Sequence, residues 1–152
     1  MAATLVPSGF FDASAAVDCL AEVAEVGESD KVLYTDIPQY GACLVYSVSG
    51  GEEDSLPELY YVLNDLPKCR EYNKIVASFR DGKLSLGIAQ GASLLLANEY
   101  PAMDFTTAEY FIFLAMKSLQ LNPEVSTIHF RSELPKEDEM SLYRYFRTVD
   151  SL

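Results

Sequence analysis

The chain has 152 residues, of which 49% are hydrophobic and 22% charged, so it is long and apolar enough to bury a core and is not intrinsically disordered. Its net charge of −12 disfavours nucleic acid and anionic membranes as partners, because an acidic chain repels phosphate. No apolar run approaches the roughly 20 residues of a membrane helix. No basic residue precedes Lys31, so we expect no signal peptide and a cytoplasmic location.

The first predicted element is a helix over residues 13–26. Asp12 is its expected N-cap, and Gly27 is expected to end it. The spacing predicts one inward face formed by Val17, Leu20, Ala21 and Ala24.

Two strands and a second helix are predicted next. The first strand covers residues 32–34 and is closed by Pro38 and Gly41, and the apolar run 42–49 is typical of a buried strand. After a polar loop, "GGEED", a helix runs from Ser55 until Pro67 stops it.

A hairpin is the strongest local prediction in the chain. Asp81-Gly82 favours a two-residue turn with positive φ at both positions. Counting outward, the predicted partners are Phe79 with Leu84, Ala77 with Leu86, Ile75 with Ile88, Arg80 with Lys83, and Ser78 with Ser85. A second turn near Gln90-Gly91 adds a third strand, which makes a three-stranded meander.

A helix, a strand and a last helix follow the meander. Thr106 and Glu109 predict a capping box, flanked by a staple of Phe105 and Tyr110, and the helix they open is apolar on nearly all sides. Alternation predicts a half-buried strand in "STIHFRS", and Pro135 opens the last helix. The predicted inner stripe of that helix is Met140, Tyr143 and Phe146.

The cysteines and the histidine do not form a recognisable site in the sequence. Cys19, Cys43 and Cys69 are an odd number without C-x-x-C spacing, which is typical of reduced thiols in a cytosolic protein. With His129 as the one histidine and no Cys/His cluster, we expect no zinc site, no other metal and no cofactor.

Three stretches together resemble a bacterial domain-of-unknown-function family, number 3822 (DUF3822). They are "TLVPSGFFD" with "VLYTDIP", then "RDGKLSL", then "YPAMDFTTAEYFIFLAMKSLQLNPE". The resemblance implies an α/β fold with a mixed sheet, of the actin-like ATPase and ribonuclease H-like type. It also implies that residues 1–73 are a partial first subdomain and 74–152 a second, β-β-β-α-β-α subdomain. Members usually have more residues before "TLVP", so we expect a shortened member or a fragment.

The same resemblance raises the question of nucleotide binding. ATP-binding members of the superfamily carry Asp-x-Gly at the first hairpin, where the aspartate works through a metal. Here the triplet is Arg80-Asp81-Gly82, so Arg80 stands at the carboxylate position. A two-residue turn offers too few free amides to hold a phosphate. We therefore expect no ATP binding and assign Asp81 and Gly82 to the turn.

No catalytic motif is present, so the sequence predicts a non-catalytic interaction or assembly scaffold that binds a protein partner or itself. Adjacent tyrosines cannot all face a core, which makes Tyr60, Tyr61 and Tyr145 the candidate interaction residues. The alternative is a small-molecule-binding domain or enzyme with a cleft between the two halves. Its candidate ligand residues are Arg80, His129 and Arg131.

Overall fold

A computed structural model describes residues 1–50 and 54–152. The predicted polar loop around Glu52 and Glu53 lies outside these ranges. Contacts divide the chain into two compact units, Met1–Tyr61 and Val62–Leu152. The bounds that the resemblance implies, 1–73 and 74–152, remain a prediction. Among the described residues, no helix combines the length and apolarity needed to cross a membrane.

The first unit is built on a three-stranded antiparallel sheet. Its strands are β1 (Ala3–Pro7), β2 (Lys31–Ile37) and β3 (Ala42–Val48), in the order β1-β3-β2. All seven residues of β3 are buried, which confirms the prediction of a buried strand from the apolar run. Pro38 and Gly41 close β2 as predicted, with Gly41 at a φ of +59°.

Helix α1 is shorter than predicted. Asp12 is an N-cap, but it caps a 3₁₀ turn, and α1 covers only Ala16–Ala21. Leu20 is buried as predicted, but Val17 is 53% exposed and Ala21 is also exposed, so these two residues were wrongly placed on the inner face. The chain leaves the helix before Gly27, because the turn that follows is held by the Gly27 amide donating to the Asp30 carboxylate over 3.0 Å.

The second unit is built on a five-stranded mixed sheet with the order β6-β5-β4-β7-β8. Strands β4, β5 and β6 are antiparallel neighbours, and β7 and β8 run parallel to β4. The strands are β4 (Asn73–Arg80), β5 (Lys83–Gln90), β6 (Ser93–Pro101), β7 (Thr127–Phe130) and β8 (Thr148–Ser151). The helices are α3 (Phe105–Ser118), α4 (Lys136–Tyr143) and the part of α2 (Glu58–Asp65) from Val62 onward. Strand β8 was not predicted, because Val149 is its one apolar residue and the segment therefore shows no alternation.

The predicted hairpin is confirmed residue by residue. All five predicted β4–β5 pairs are formed, from Arg80 with Lys83 at the turn to Ile75 with Ile88. Asp81 and Gly82 have φ angles of 52° and 71°, as a two-residue turn of this type requires.

Both faces of the central strands are covered. Helices α3 and α4 bury one face, through a core that includes Ile75, Leu86, Ile112, Met116, Phe130 and Leu142. On the other face, a Cβ added to Gly87 would lie 2.8 Å from side-chain carbons of Val62 and Leu66. The missing side chain at Gly87 therefore lets the α2 segment lie directly on the sheet.

The predicted capping box is not formed. Helix α3 begins two residues earlier, and its N-cap is Asp104, whose carboxylate accepts from the Thr107 amide at 2.8 Å. Phe105 is already the first helical residue, so it cannot form the predicted staple with Tyr110. Glu109 Oε1 is instead buried without a hydrogen-bond partner among the described residues, and Ser141 of α4 acts only to lower the pKa of the carboxyl.

The buried stripes of α3 and α4 also differ from the prediction. Tyr110 and Leu114 are 60% and 46% exposed, so α3 is not buried on most sides. On α4 and the turn after it, Leu142 and Phe146 are buried, whereas Met140 and Tyr143 face solvent. An apolar surface on these helices is therefore left uncovered within this unit.

Glu109 makes the stability of the chain depend on pH. Burial raises the pKa of Glu109, and the negative charge of Asp138 raises it further, against the opposing effects of Ser141 and Arg144. The folded state therefore keeps a proton that the unfolded chain has lost, and the free energy of unfolding falls as pH rises above the ordinary carboxyl range. We expect Glu109→Gln to flatten this decline, measured as denaturant unfolding from about pH 4 to pH 7.

Glu133→Gln, at an exposed residue, is the matched control and should keep the wild-type pH profile. Identical pH profiles for wild type and Glu109→Gln would contradict the prediction.

Candidate functional site

The candidate site is a cluster of Cys69, Glu71 and His129 in the second unit. Cys69 follows the 3₁₀ turn Leu66–Lys68, and its amide donates to the Leu66 carbonyl, so the chain turns sharply just before β4. His129 lies in β7, opposite Val76 of β4 in the parallel pair. The turn before β4 and the middle of β7 are thereby brought to the same region.

Sulfur, oxygen and nitrogen donors meet in this cluster. His129 Nε2 lies 2.7 Å from Glu71 Oε1, and one potential ligand atom from each of the three residues lies within 4.8 Å of the others. Cys69 and His129 are buried and Glu71 is half-buried. Among the described residues, these three side chains lie close enough together to share one metal ion.

The electrostatics of Cys69 exclude a free nucleophilic thiolate. Burial raises the pKa of Cys69 to about 11, and the charges of Glu71 and Asp65 add to the rise, although Lys74 opposes it. A reactive cysteine needs a lowered pKa. Without a further cation, Cys69 is therefore a neutral thiol at physiological pH.

Glu71 is ionised in spite of its partial burial. Burial acts to raise its pKa, but the hydrogen bond with His129 and the positive charge of Lys74 outweigh it, so the pKa of Glu71 is lowered. Lys74 Nζ also donates to the main-chain carbonyls of Cys69 and Glu71, the first over 3.0 Å. The lysine thus fixes the backbone that presents both side chains.

An ion pair with a buried carboxylate lies beside the cluster. Asp65, which is only 7% exposed, accepts from the Arg131 guanidinium and from Lys68 Nζ, the latter over 3.0 Å. The Cys69 sulfur lies 3.9 Å from the Asp65 carbonyl oxygen. The pair ties the end of α2 to the residue that follows β7.

The structure brings together two of the three predicted ligand residues. Arg80 Nη2 donates to the Arg131 main-chain carbonyl over 3.3 Å, so these arginines are neighbours at the end of β4. His129 was predicted on a polar, half-exposed face, but it is buried and faces Glu71. A ligand-binding role for the three residues remains a prediction.

The predicted interaction residues have different environments. Tyr60 is half-buried, and its ring meets that of Tyr61 edge-on, with centroids 5.3 Å apart. Tyr61 is 39% exposed and Tyr145 is 50% exposed, which confirms that one residue of each aromatic pair faces solvent. Their role in binding a partner remains a prediction.

Sequence reasoning missed Cys69, Glu71 and Asp65 as parts of one site. The C-x-E spacing of Cys69 and Glu71 is a local signal, but it is weak without the histidine. Glu71 and His129 are 58 residues apart, so only the pairing of β4 with β7 unites them.

The fold and its sheet order define an actin-like ATPase fold, in which a β-β-β-α-β-α unit forms a mixed sheet. The chain belongs to the family described as "Protein of unknown function (DUF3822)", which matches residues 59–149. It is similar to a crystal structure from Bacteroides thetaiotaomicron VPI-5482, described as a protein with actin-like ATPase fold and unknown function.

That likeness has a TM-score of 0.81 at 18% sequence identity and covers 99% of this chain. At this identity it shows the fold alone. The chain spans 64% of the Bacteroides protein, which is less than two thirds of its length. No curated protein matches the chain.

The two cations that contact Asp65 should differ in their contribution to stability. Arg131→Met leaves a buried carboxylate without its half-buried partner, so we expect a loss of about 3 kcal/mol. The Lys68 side chain is 70% exposed, so Lys68→Met, the matched control, should cost less than about 1 kcal/mol. Denaturant unfolding of both variants measures the difference, and equal losses would show that burial of the pair is not what matters.

Proposed function

We propose that this chain is a non-catalytic protein-interaction module built on an actin-like fold. The observation that carries the proposal is the apolar surface left open on α3 and after α4. We name this surface the α3–α4 ridge, formed by Tyr110, Phe113, Leu114 and Tyr145. Exposed apolar surface of this kind is typical of protein-binding sites.

The ridge combines exposed side chains with a rigid base. Tyr110 and Leu114 are one helical turn apart, so they lie side by side on α3. The ring centroids of Phe113 and Tyr145 are 4.8 Å apart, and Phe113 also stacks on buried Phe146 at 5.7 Å. Aromatic side chains anchored in this way lose little freedom on binding, which favours them at the centre of interfaces.

The distribution of charge favours the second unit as the binding unit. Residues 1–61 hold eleven of the 23 acidic residues and one of the 11 basic residues, a net charge of −10. Residues 62–152 hold the other twelve and ten, a net charge of −2. A nearly neutral surface with an apolar ridge can meet another protein without the repulsion that an acidic surface would add.

The non-catalytic part of the proposal draws support from the β4–β5 turn. Asp81 and Gly82 both serve the turn geometry, and Arg80 stands where ATP-binding relatives are expected to carry a carboxylate. Cys69 is a neutral thiol, so it is not poised as a nucleophile.

A single substitution on the α3–α4 ridge should weaken binding. Leu114→Glu places a carboxylate at the centre of the apolar surface, so we expect partner binding or self-association to weaken at least about tenfold. The measurement is quantitative affinity capture from cell extract with the full chain, together with light scattering over a concentration series.

Val125→Glu is the matched control, because Val125 is apolar and 66% exposed but lies outside the ridge. It should bind as the wild type does. The proposal is wrong if all three proteins are monomeric at every concentration and capture the same proteins in the same amounts.

The absence of nucleotide binding is tested separately. Isothermal titration of the full chain with magnesium-ATP should give no saturable heat in the micromolar range, because the two-residue turn lacks the free amides that would hold a phosphate. Saturable binding in that range would refute the non-catalytic proposal and favour the alternative, a small-molecule-binding domain or enzyme.

A further inference from the structure

We propose that Cys69, Glu71 and His129 form a binding site for a divalent transition-metal ion, with Zn²⁺ as the best match. The inference rests on the donor set and its geometry, and it is independent of the α3–α4 ridge. A thiolate, a carboxylate and an imidazole are the three side-chain ligands that zinc uses in proteins.

The spacing of the donor atoms requires only small shifts. In a tetrahedral zinc site, ligand atoms lie roughly 3.3–3.8 Å from one another, because the zinc–ligand bonds are about 2.0–2.3 Å long. Here the three atoms lie within 4.8 Å of one another, and His129 Nε2 is 2.7 Å from Glu71 Oε1. A proton between nitrogen and oxygen now occupies the place where a metal ion would bridge them.

The chemistry of the donors selects the class of metal. Mg²⁺ and Ca²⁺ prefer oxygen ligands, and the cluster offers one carboxylate. Sulfur and nitrogen donors favour zinc and related transition metals. Three protein ligands leave the fourth tetrahedral position to water, which is the arrangement of an open zinc site.

The charges balance when the metal binds. Coordination releases the Cys69 thiol proton to solvent, so a thiolate and the Glu71 carboxylate together neutralise the +2 charge of the ion. His129 would coordinate through Nε2 as a neutral ring, with its proton on Nδ1. Lys74 adds an opposing positive charge, but its ammonium is held by the carbonyls of Cys69 and Glu71.

The surroundings hold the ligands in place before the metal arrives. Cys69 and His129 are buried, and His129 sits in a strand paired on both sides, by β4 and β8. Lys74 fixes the backbone on either side of residue 70. Ligands that are already oriented lose little freedom on binding.

The test is metal titration of the full chain after removal of metals with a chelator. We expect one equivalent of Zn²⁺ to bind and to raise the melting temperature, and Co²⁺ to give a thiolate-to-metal charge-transfer band. Cys69→Ser should abolish that band. Glu71→Gln and His129→Asn should weaken Zn²⁺ binding at least about tenfold, the loss that is typical of even an outer-shell partner.

Cys43→Ser is the matched control, because Cys43 is also a buried free thiol but lies in β3, outside the cluster. It should keep both the stoichiometry and the charge-transfer band. Glu71 is half-buried, so Glu71→Gln keeps the test informative if the more buried variants do not fold. No stoichiometric binding to the wild type, or a charge-transfer band that survives in Cys69→Ser and disappears in Cys43→Ser, would overturn the proposal.

Discussion

The burial of both faces of the central strands, β4 and β5, is the constraint on which the rest of the second unit depends. A sheet covered on one side can place polar groups in water on the other, but here the α2 segment lies over the face opposite α3 and α4. Gly87 removes the side chain that would keep α2 away. Charged groups buried near this face are costly unless they are paired, and Asp65 with Arg131 and Glu71 with His129 are such pairs.

Local features of the fold could be predicted from the sequence, whereas features that join distant segments could not. The β4–β5 register followed from Asp81-Gly82 alone, because a two-residue turn determines every pair beyond it. The N-cap of α3 was misassigned because Asp104 and Thr106 are both good capping residues in sequence, and only Asp104 has the extended backbone that a cap needs. Helix α1 was overestimated because its apolar spacing continued past the point where the chain turns.

The candidate site illustrates the same limit. His129 was noticed as the one histidine, yet its burial and its partner Glu71 depend on the parallel pairing of two strands that are distant in sequence. The exposed aromatic residues were easier to foresee, since two adjacent side chains on a helix point in different directions. The structure adds that Tyr145 packs against Phe113 of α3. The sequence had predicted that α3 is buried on most sides, but Tyr110 and Leu114 are exposed.

The parallel placement of β7 beside β4 also bears on the order in which this unit assembles. Strands β4, β5 and β6 are joined by short turns, so their contacts close small loops and cost little chain entropy. Strand β7 can join β4 only after the whole of β5, β6 and α3 has been traversed, and long-range parallel pairing is slow to form. Cys69 and Glu71 meet His129 only at that late step. Formation of the cluster would thus be a late step of folding. A ligand bound there would link the segment before β4 to β7 and slow the reopening of the sheet.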